Sequence, residues 1–178
     1  MDGQSLTPAR LYAHERESVL VPLPFLDLPT PVRLLDLTWH RKSEFHVTAA
    51  HTPSIAERAS LPVEAAWKAI LAAIEGSDEI GEVALLDEFR IARRAGERTL
   101  IRMCEVGGLP DLFARLSEQL GARVDPPPAH VTIYVDRPGA GGIGIHTREQ
   151  LERDTAPLPP EAAAELARSW PDGQQGLR

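Results

Sequence analysis

Two short motifs in this chain each place a histidine and a threonine on one side of a predicted strand. His46 and Thr48 lie in Phe-His-Val-Thr-Ala, and His130 and Thr132 lie in Ala-His-Val-Thr-Ile. Side chains two residues apart on a strand project to the same face, so each imidazole would stand beside a hydroxyl while the intervening residues point into a core. A chain of this composition should contain only about 0.1 such motifs by chance. The two motifs therefore predict one shared site.

The chemistry of such a site follows from its side chains. Near neutral pH an imidazole exists in either protonation state, so one of two facing histidines can accept a proton while the other donates one. Across a phosphodiester, the first would activate the attacking oxygen and the second would protonate the leaving oxygen. The threonine hydroxyls could donate hydrogen bonds to the nonbridging oxygens and stabilise the charge that develops there. This chemistry needs neither a metal nor a cofactor.

The two motifs resemble the signature of the two-histidine (2H) phosphoesterase superfamily, which includes 2′-5′ RNA ligase-like proteins and 2′,3′-cyclic nucleotide phosphodiesterases. The resemblance covers residues 32–146. It implies a metal-independent phosphodiesterase that cleaves a cyclic or 2′-5′ phosphodiester of a nucleotide or RNA end, with ligase-like activity also open. The resemblance also implies that His46 and His130 are the general acid and base and that Thr48 and Thr132 bind the phosphate. The alternative is a noncatalytic nucleotide or RNA-end binding module on the same scaffold.

Two further residues are candidate substrate contacts. Tyr134 follows Thr132 by two residues, so a regular strand would place its ring on the face of the motif and make it a platform for a base. The family pattern often continues with a basic residue shortly after the second motif. Here Val135 and Asp136 come first, and Arg137 is the candidate, with an exposed surface arginine as the alternative.

A zinc site is the main rival on chemistry. His40, His46 and His51 lie near one predicted hairpin with Glu44 between them, and imidazole is a common zinc ligand. However, residues 46 and 51 face opposite sides of a regular strand unless a bulge intervenes. We therefore predict no metal site. The remaining histidines, His14 and His146, are predicted to lie on the surface.

A glycine-rich segment at residues 139–144 formally matches the dinucleotide-binding pattern G-x-G-x-x-G. That fingerprint requires a βαβ unit, and no strand is predicted after the helix that begins near residue 147. We interpret the segment as a loop that flanks the cleft and leads into a short strand at 143–145.

The predicted fold is α+β and bilobal, with two similar halves of mostly antiparallel sheet, covering helices and a central cleft. Three regions are expected: an N-terminal arm at 1–31, a 2H phosphoesterase-like domain at 32–156, and a short helix and tail at 157–178. The domain is expected to run strand (32–39), strand (44–50), helical tract from 53 with a second start at 62, strand (82–93), strand (98–106), helix (109–120) and strand (129–135).

Bulk composition limits the class of protein and its partners. The chain has 178 residues and a formal net charge of −7, which disfavours a broad nucleic-acid footprint and favours a small nucleotide or a short RNA end. No stretch of the sequence is apolar over the length of a membrane helix, and the N-terminus lacks the layout of a signal peptide. The single Cys104 is predicted to be a buried thiol. We expect a cytoplasmic monomer.

Overall fold

The computed structural model describes residues 4–6, 11–76, 80 and 82–170. Within these residues the fold is α+β, as predicted, with ten antiparallel strands and five helices. The strands are β1 (Gln4–Leu6), β2 (Tyr12–His14), β3 (Ser18–Pro22), β4 (Val32–Leu34), β5 (Leu37–Arg41), β6 (His46–His51), β7 (Val83–Arg94), β8 (Glu97–Val106), β9 (His130–Val135) and β10 (Thr155–Pro157). The helices are α1 (Thr52–Ala59), α2 (Val63–Glu75), α3 (Leu109–Leu120), α4 (Arg148–Asp154) and α5 (Pro160–Ser169).

The two motif strands, β6 and β9, are neighbours in the middle of the sheet. The strand order is β1-β7-β8-β9-β6-β3-β2, with β10 paired to β7 and β5 paired to both β4 and β9. The halves on either side of β6 and β9 therefore join in one continuous sheet. The predicted alternation of strands and helices is confirmed through this region, including the long β7–β8 hairpin.

The main core lies on one face of this sheet. Helix α2 packs there through Ala66, Trp67, Ile70 and Ala73, which recur at three and four residues and form one apolar helix face. The same periodicity in α3 buries Leu109, Leu112, Phe113 and Leu116. Burying a side chain of this size contributes about 1.5–3 kcal/mol to folding. Val47 and Val131, in the middle of the two motifs, belong to the same core. The motif histidines and threonines consequently project from the opposite face.

The predicted strand at 32–39 is in fact a small hairpin. Leu35 and Asp36 both have positive φ, 52° and 61°, and they reverse the chain between β4 and β5. The indole nitrogen of Trp39 donates to the Leu34 carbonyl across this turn at 3.0 Å. The turn was not predicted because it lacks the usual Asn-Gly or Asp-Gly pair and lies within an otherwise strand-like run of residues.

The prediction that β5 and β6 pair as a hairpin is wrong. Strand β5 pairs instead with the far end of β9, through His40 and Val135, while β6 pairs with the near end of β9. The other edge of β6 is covered by β3, from Ser18 opposite His51 to Pro22 opposite His46. The backbone groups of β6 thus bond to strands on both sides without β5.

Residues 18–22 correct the prediction of an N-terminal arm. Val19 and Val21 are buried in the core while their neighbours are half-buried, which is the alternation of a strand with one covered face. Pro22 is tolerated because it ends the strand, where a missing N–H costs least. The density of prolines after residue 21 obscured the short alternation before it.

Two predictions for the C-terminal part are also wrong. A strand, β10, follows α4 and pairs with β7, although none was predicted there. Residues 143–145 form no regular strand, yet Ile143 and Ile145 are buried against Ala92 and beside Leu151. Helices α4 and α5 and the buried Cys104 are confirmed. Burial raises the pKa of the Cys104 thiol to about 12. No helix in the described ranges has the length and apolar character needed to cross a membrane.

Candidate functional site

The pairing of β6 with β9 brings the two motifs together. Val47 lies opposite Val131 in an antiparallel register, so the histidine of each motif stands opposite the threonine of the other. Directly opposed residues share a face, with Cβ atoms about 4.5–5.5 Å apart. The four predicted catalytic residues therefore form one compact group on the face away from the core: His46, Thr48, His130 and Thr132.

The tautomer of His130 is fixed by the backbone. Its Nδ1 lies 2.7 Å from the carbonyl oxygen of Pro128. Because a carbonyl only accepts hydrogen bonds, Nδ1 carries the proton, and in the neutral ring the lone pair is on Nε2. Burial lowers the pKa of His130, the hydrogen bond to Pro128 opposes that shift, and the charge of His46 lowers the pKa further. Burial and the charge of His46 both favour the neutral ring, whose free lone pair is on Nε2.

His46 is more open than His130. Burial also lowers the pKa of His46, and Lys42 lowers it further, while the carboxylate of Glu44 raises it. The ammonium of Lys42 is held beside this site by the carbonyl of Ala140, at 3.1 Å. His46 consequently meets both an acidic and a basic neighbour at the mouth of the site.

A cavity of about 500 Å³ opens beside His46 and Thr48. One wall is built by the N-terminal segment, and it includes Tyr12 and Phe25, whose exposed fractions of 58% and 54% are high for aromatic residues. The Phe25 ring is fixed by an edge contact with Phe45 and by the guanidinium of Arg41, which lies 4.7 Å from the ring centre. This wall offers flat apolar surface within reach of the motif residues.

The glycine-rich loop covers the other side of the group. A Cβ on Gly142 would lie 2.8 Å from the Thr132 hydroxyl oxygen, closer than real Cβ contacts, so the loop backbone packs directly on the motif threonine. Ile143 and Ile145 anchor the following segment to the sheet. The loop therefore lies against the motif group on the side of Thr132.

His146, predicted to lie on the surface, is packed beside the site. Its ring stacks on His51 with ring centres 3.7 Å apart and an angle of 6° between the planes. Burial and the nearby charges of His51 and His130 lower the pKa of His146 to about 4. The alternation of Ile143 and Ile145 just before His146 could have indicated this position, because it is typical of a segment that packs one face against the protein.

A bulge explains why His51 reaches this face. Leu20 and Val19 of β3 are consecutive, yet their partners on β6 are Thr48 and Ala50, so Ala49 is an extra residue. Ala49 and Ala50 are both fully buried, and the alternation resumes one step out of phase. The imidazole of His51 is then used at the start of α1, where its Nδ1 lies 2.8 Å from the Ser54 hydroxyl.

A second bulge overturns the prediction for Tyr134. Ile133 is the extra residue on β9, so Tyr134 turns away from Thr132 and enters the core. The side chain is 1% exposed, and its hydroxyl donates to the carbonyl of Pro29 at 2.9 Å. Burial raises the pKa of this phenol to about 12. Tyr134 therefore cannot stack a base.

Arg137 is not brought to the motif group either. It lies two residues beyond the end of β9, and its guanidinium pairs with Glu97 at 2.6 Å and with Asp136 at 3.7 Å. These carboxylates direct it toward the β7–β8 turn. The prediction of Arg137 as a substrate contact is corrected to an exposed ion pair.

The three histidines considered for zinc do not meet. His40 lies on β5, while the Nδ1 of His51 is occupied by Ser54. Across the residues that the structure describes, no three His, Cys, Asp or Glu side chains form a group that could hold a metal ion.

Comparison of this chain with protein-family models, with curated proteins and with solved structures finds no match. The motifs and the geometry of the site are therefore the basis for inferring its function.

Proposed function

We propose that this protein is a metal-independent phosphodiesterase of the two-histidine type, acting on a cyclic or 2′-5′ phosphodiester of a nucleotide or RNA end. One observation carries the proposal: the register of β6 and β9 gathers both histidines and both threonines on one face. A pair of histidines flanked by hydroxyl donors matches the needs of phosphodiester cleavage, which are a base, an acid and hydrogen bonds to the nonbridging oxygens.

The surroundings of the two histidines support a division of roles between them. His130 presents the lone pair of Nε2, so it removes the proton from the attacking water. His46, open to the cavity and beside Glu44, protonates the ribose oxygen that leaves. A bond forms between the water oxygen and phosphorus as the bond to the ribose oxygen breaks. The product is a phosphomonoester.

A panel of phosphodiesters tests this function. We expect turnover of a 2′,3′-cyclic nucleotide or a 2′-5′ dinucleotide, at a rate that a strong chelator leaves unchanged. Binding without turnover across the whole panel would favour the noncatalytic binding module. Loss of turnover on chelation, restored by zinc, would instead show metal-dependent chemistry.

The pH dependence gives a further prediction. The active state has one protonated and one neutral histidine, and the pKa values of both lie below 6.5 in the folded protein. The plot of kcat/KM against pH should therefore be bell-shaped, with its maximum below pH 6.5. In the complex the phosphate charge favours an imidazolium, so the kcat profile should lie at higher pH. Steady-state kinetics from pH 4 to 9 measure both, and a kcat/KM maximum above pH 7.5 would contradict the assignment.

The aromatic wall of the cavity predicts a preference for substrates that carry a base. Stacking a base on an aromatic ring contributes about 1–3 kcal/mol, so Phe25→Leu or Tyr12→Leu should raise KM for a 2′,3′-cyclic nucleotide roughly tenfold. A cyclic phosphate without a base should be unaffected. Val63→Ala removes an exposed apolar side chain outside this cavity and serves as the control. Equal changes in KM for the substrate with a base and the substrate without one would refute base stacking on these rings.

A further inference from the structure

A second cavity, of about 560 Å³, is lined by three arginines. Arg58 comes from the last turn of α1, Arg148 begins α4, and Arg123 lies between α3 and β9. Three arginines in one cavity stand out in a chain whose formal net charge is −7. Such a cluster is typical of phosphate recognition, because a guanidinium matches phosphate oxygens with two parallel hydrogen bonds.

This cavity adjoins the second motif. Its wall includes Pro126, Pro127, Pro128 and Ala129, and Ala129 is covalently joined to His130. The carbonyl of Pro128 is also the hydrogen-bond acceptor for the His130 ring. A smaller cavity shares Pro127 with this arginine-lined cavity and extends to His51 and His146. The arginine cavity therefore borders the segment that leads directly into His130.

The cavity has two carboxylates against three arginines, so a net positive charge remains. Glu149 pairs with Arg58 at 3.4 Å and Asp125 pairs with Arg123 at 3.1 Å, and three of these four side chains are more than half exposed. Ion pairs this exposed contribute about 0–1 kcal/mol, less than a charge-assisted bond to phosphate. Hydrogen bonds to its own backbone and to Thr147 lower the pKa of Glu149, and the charges of Arg58 and Arg148 lower it further. Arg148 itself makes no hydrogen bond or close ion pair within the part of the chain that the structure describes. Its guanidinium is available to an anion.

We infer that the arginine cavity, formed by Arg58, Arg123 and Arg148, binds a backbone phosphate of an RNA strand whose terminal phosphodiester reacts at His46 and His130. This inference rests on the proposed function and narrows its substrate to an RNA end with at least one further phosphate. A free mononucleotide would fill the motif site and leave the arginine cavity empty.

The test compares a mononucleotide 2′,3′-cyclic phosphate with a trinucleotide that ends in the same group. We expect kcat/KM of the unaltered protein to be at least about tenfold higher for the trinucleotide, with an advantage that falls as salt is added. Arg148→Gln and the double variant Arg123→Gln/Arg148→Gln should remove this advantage and leave the mononucleotide within about twofold. Arg33→Gln, an exposed arginine on β4 outside this cavity, is the matched control.

Two results would overturn the inference: equal kcat/KM for the two substrates, or equal losses for both in the arginine variants. Anisotropy titration of a labelled trinucleotide onto His46→Ala separates this question from catalysis. If the trinucleotide binds and Arg148→Gln in that background weakens binding about tenfold, the cavity is a phosphate site even where neither substrate is turned over. Unchanged binding in that comparison would refute the site, whereas turnover of the mononucleotide would still support the proposed function.

Discussion

Replacing His130 or His46 by alanine should lower kcat for a 2′,3′-cyclic nucleotide by at least about 10²-fold, the usual contribution of a general acid or base. The double variant should fall little below the weaker single variant, because two groups that transfer protons in one transition state do not contribute independently. The measurement is steady-state kinetics of the three variants.

His40→Ala is the matched control for these variants. His40 is a half-buried histidine on β5, the strand that pairs with the far end of β9, and it lies outside the motif group. It should keep nearly all activity, and thermal unfolding should show that every variant remains folded. A His46 or His130 variant with the activity of the unaltered protein would refute its role.

The second large effect is expected at the threonines. Valine keeps the branched shape of threonine but removes the donor, and loss of one donor to a developing oxyanion costs about 10²–10³-fold in kcat. Thr48→Val and Thr132→Val should each show a loss of this order. Neither limb of the pH profile should move by much, because the titrating histidines are retained.

Thr38→Val provides the comparison, since Thr38 is an exposed threonine on β5 and no part of the motif group. The measurement is steady-state kinetics of the three threonine variants and of the unaltered protein over the same pH range. A threonine variant that shifted a limb of the profile would act through a histidine pKa and not through the phosphate.

The elements of the fold that depend on local periodicity were predictable from the sequence. Helix α2 shows this in the spacing of its apolar residues and in its end at Gly76. The β7–β8 hairpin shows it in Ala95 and Gly96, which reverse the chain with positive φ, 50° and 82°. Local alternation also predicts that both motif strands bury their middle valines in the core and present their histidines and threonines on the other face.

The features that could not be predicted from the sequence depend on single extra residues in strands and on the pairing of strands that are distant in the sequence. Nothing in the residue types around Ala49 or Ile133 marks a bulge, yet each bulge reverses the face of every residue that follows. That reversal moved Tyr134 into the core and brought His51 to the site face. Strand β6 pairs along one edge with β3, which is distant in the sequence. The aromatic wall of the cavity also depends on this pairing.

The antiparallel Val47–Val131 pair places a local twofold axis between the motif strands. A phosphodiester turned end for end about that axis would meet the same four side chains in the same arrangement. The motifs by themselves therefore carry no sense of direction for the substrate. For the proposed activity, direction would be set by the unlike flanks, which are an open aromatic cavity beside His46 and, at His130, a buried ring whose Nδ1 lies 2.7 Å from the Pro128 carbonyl. The preferred orientation of the substrate would depend on those flanks. It could therefore change without any alteration of the four motif residues.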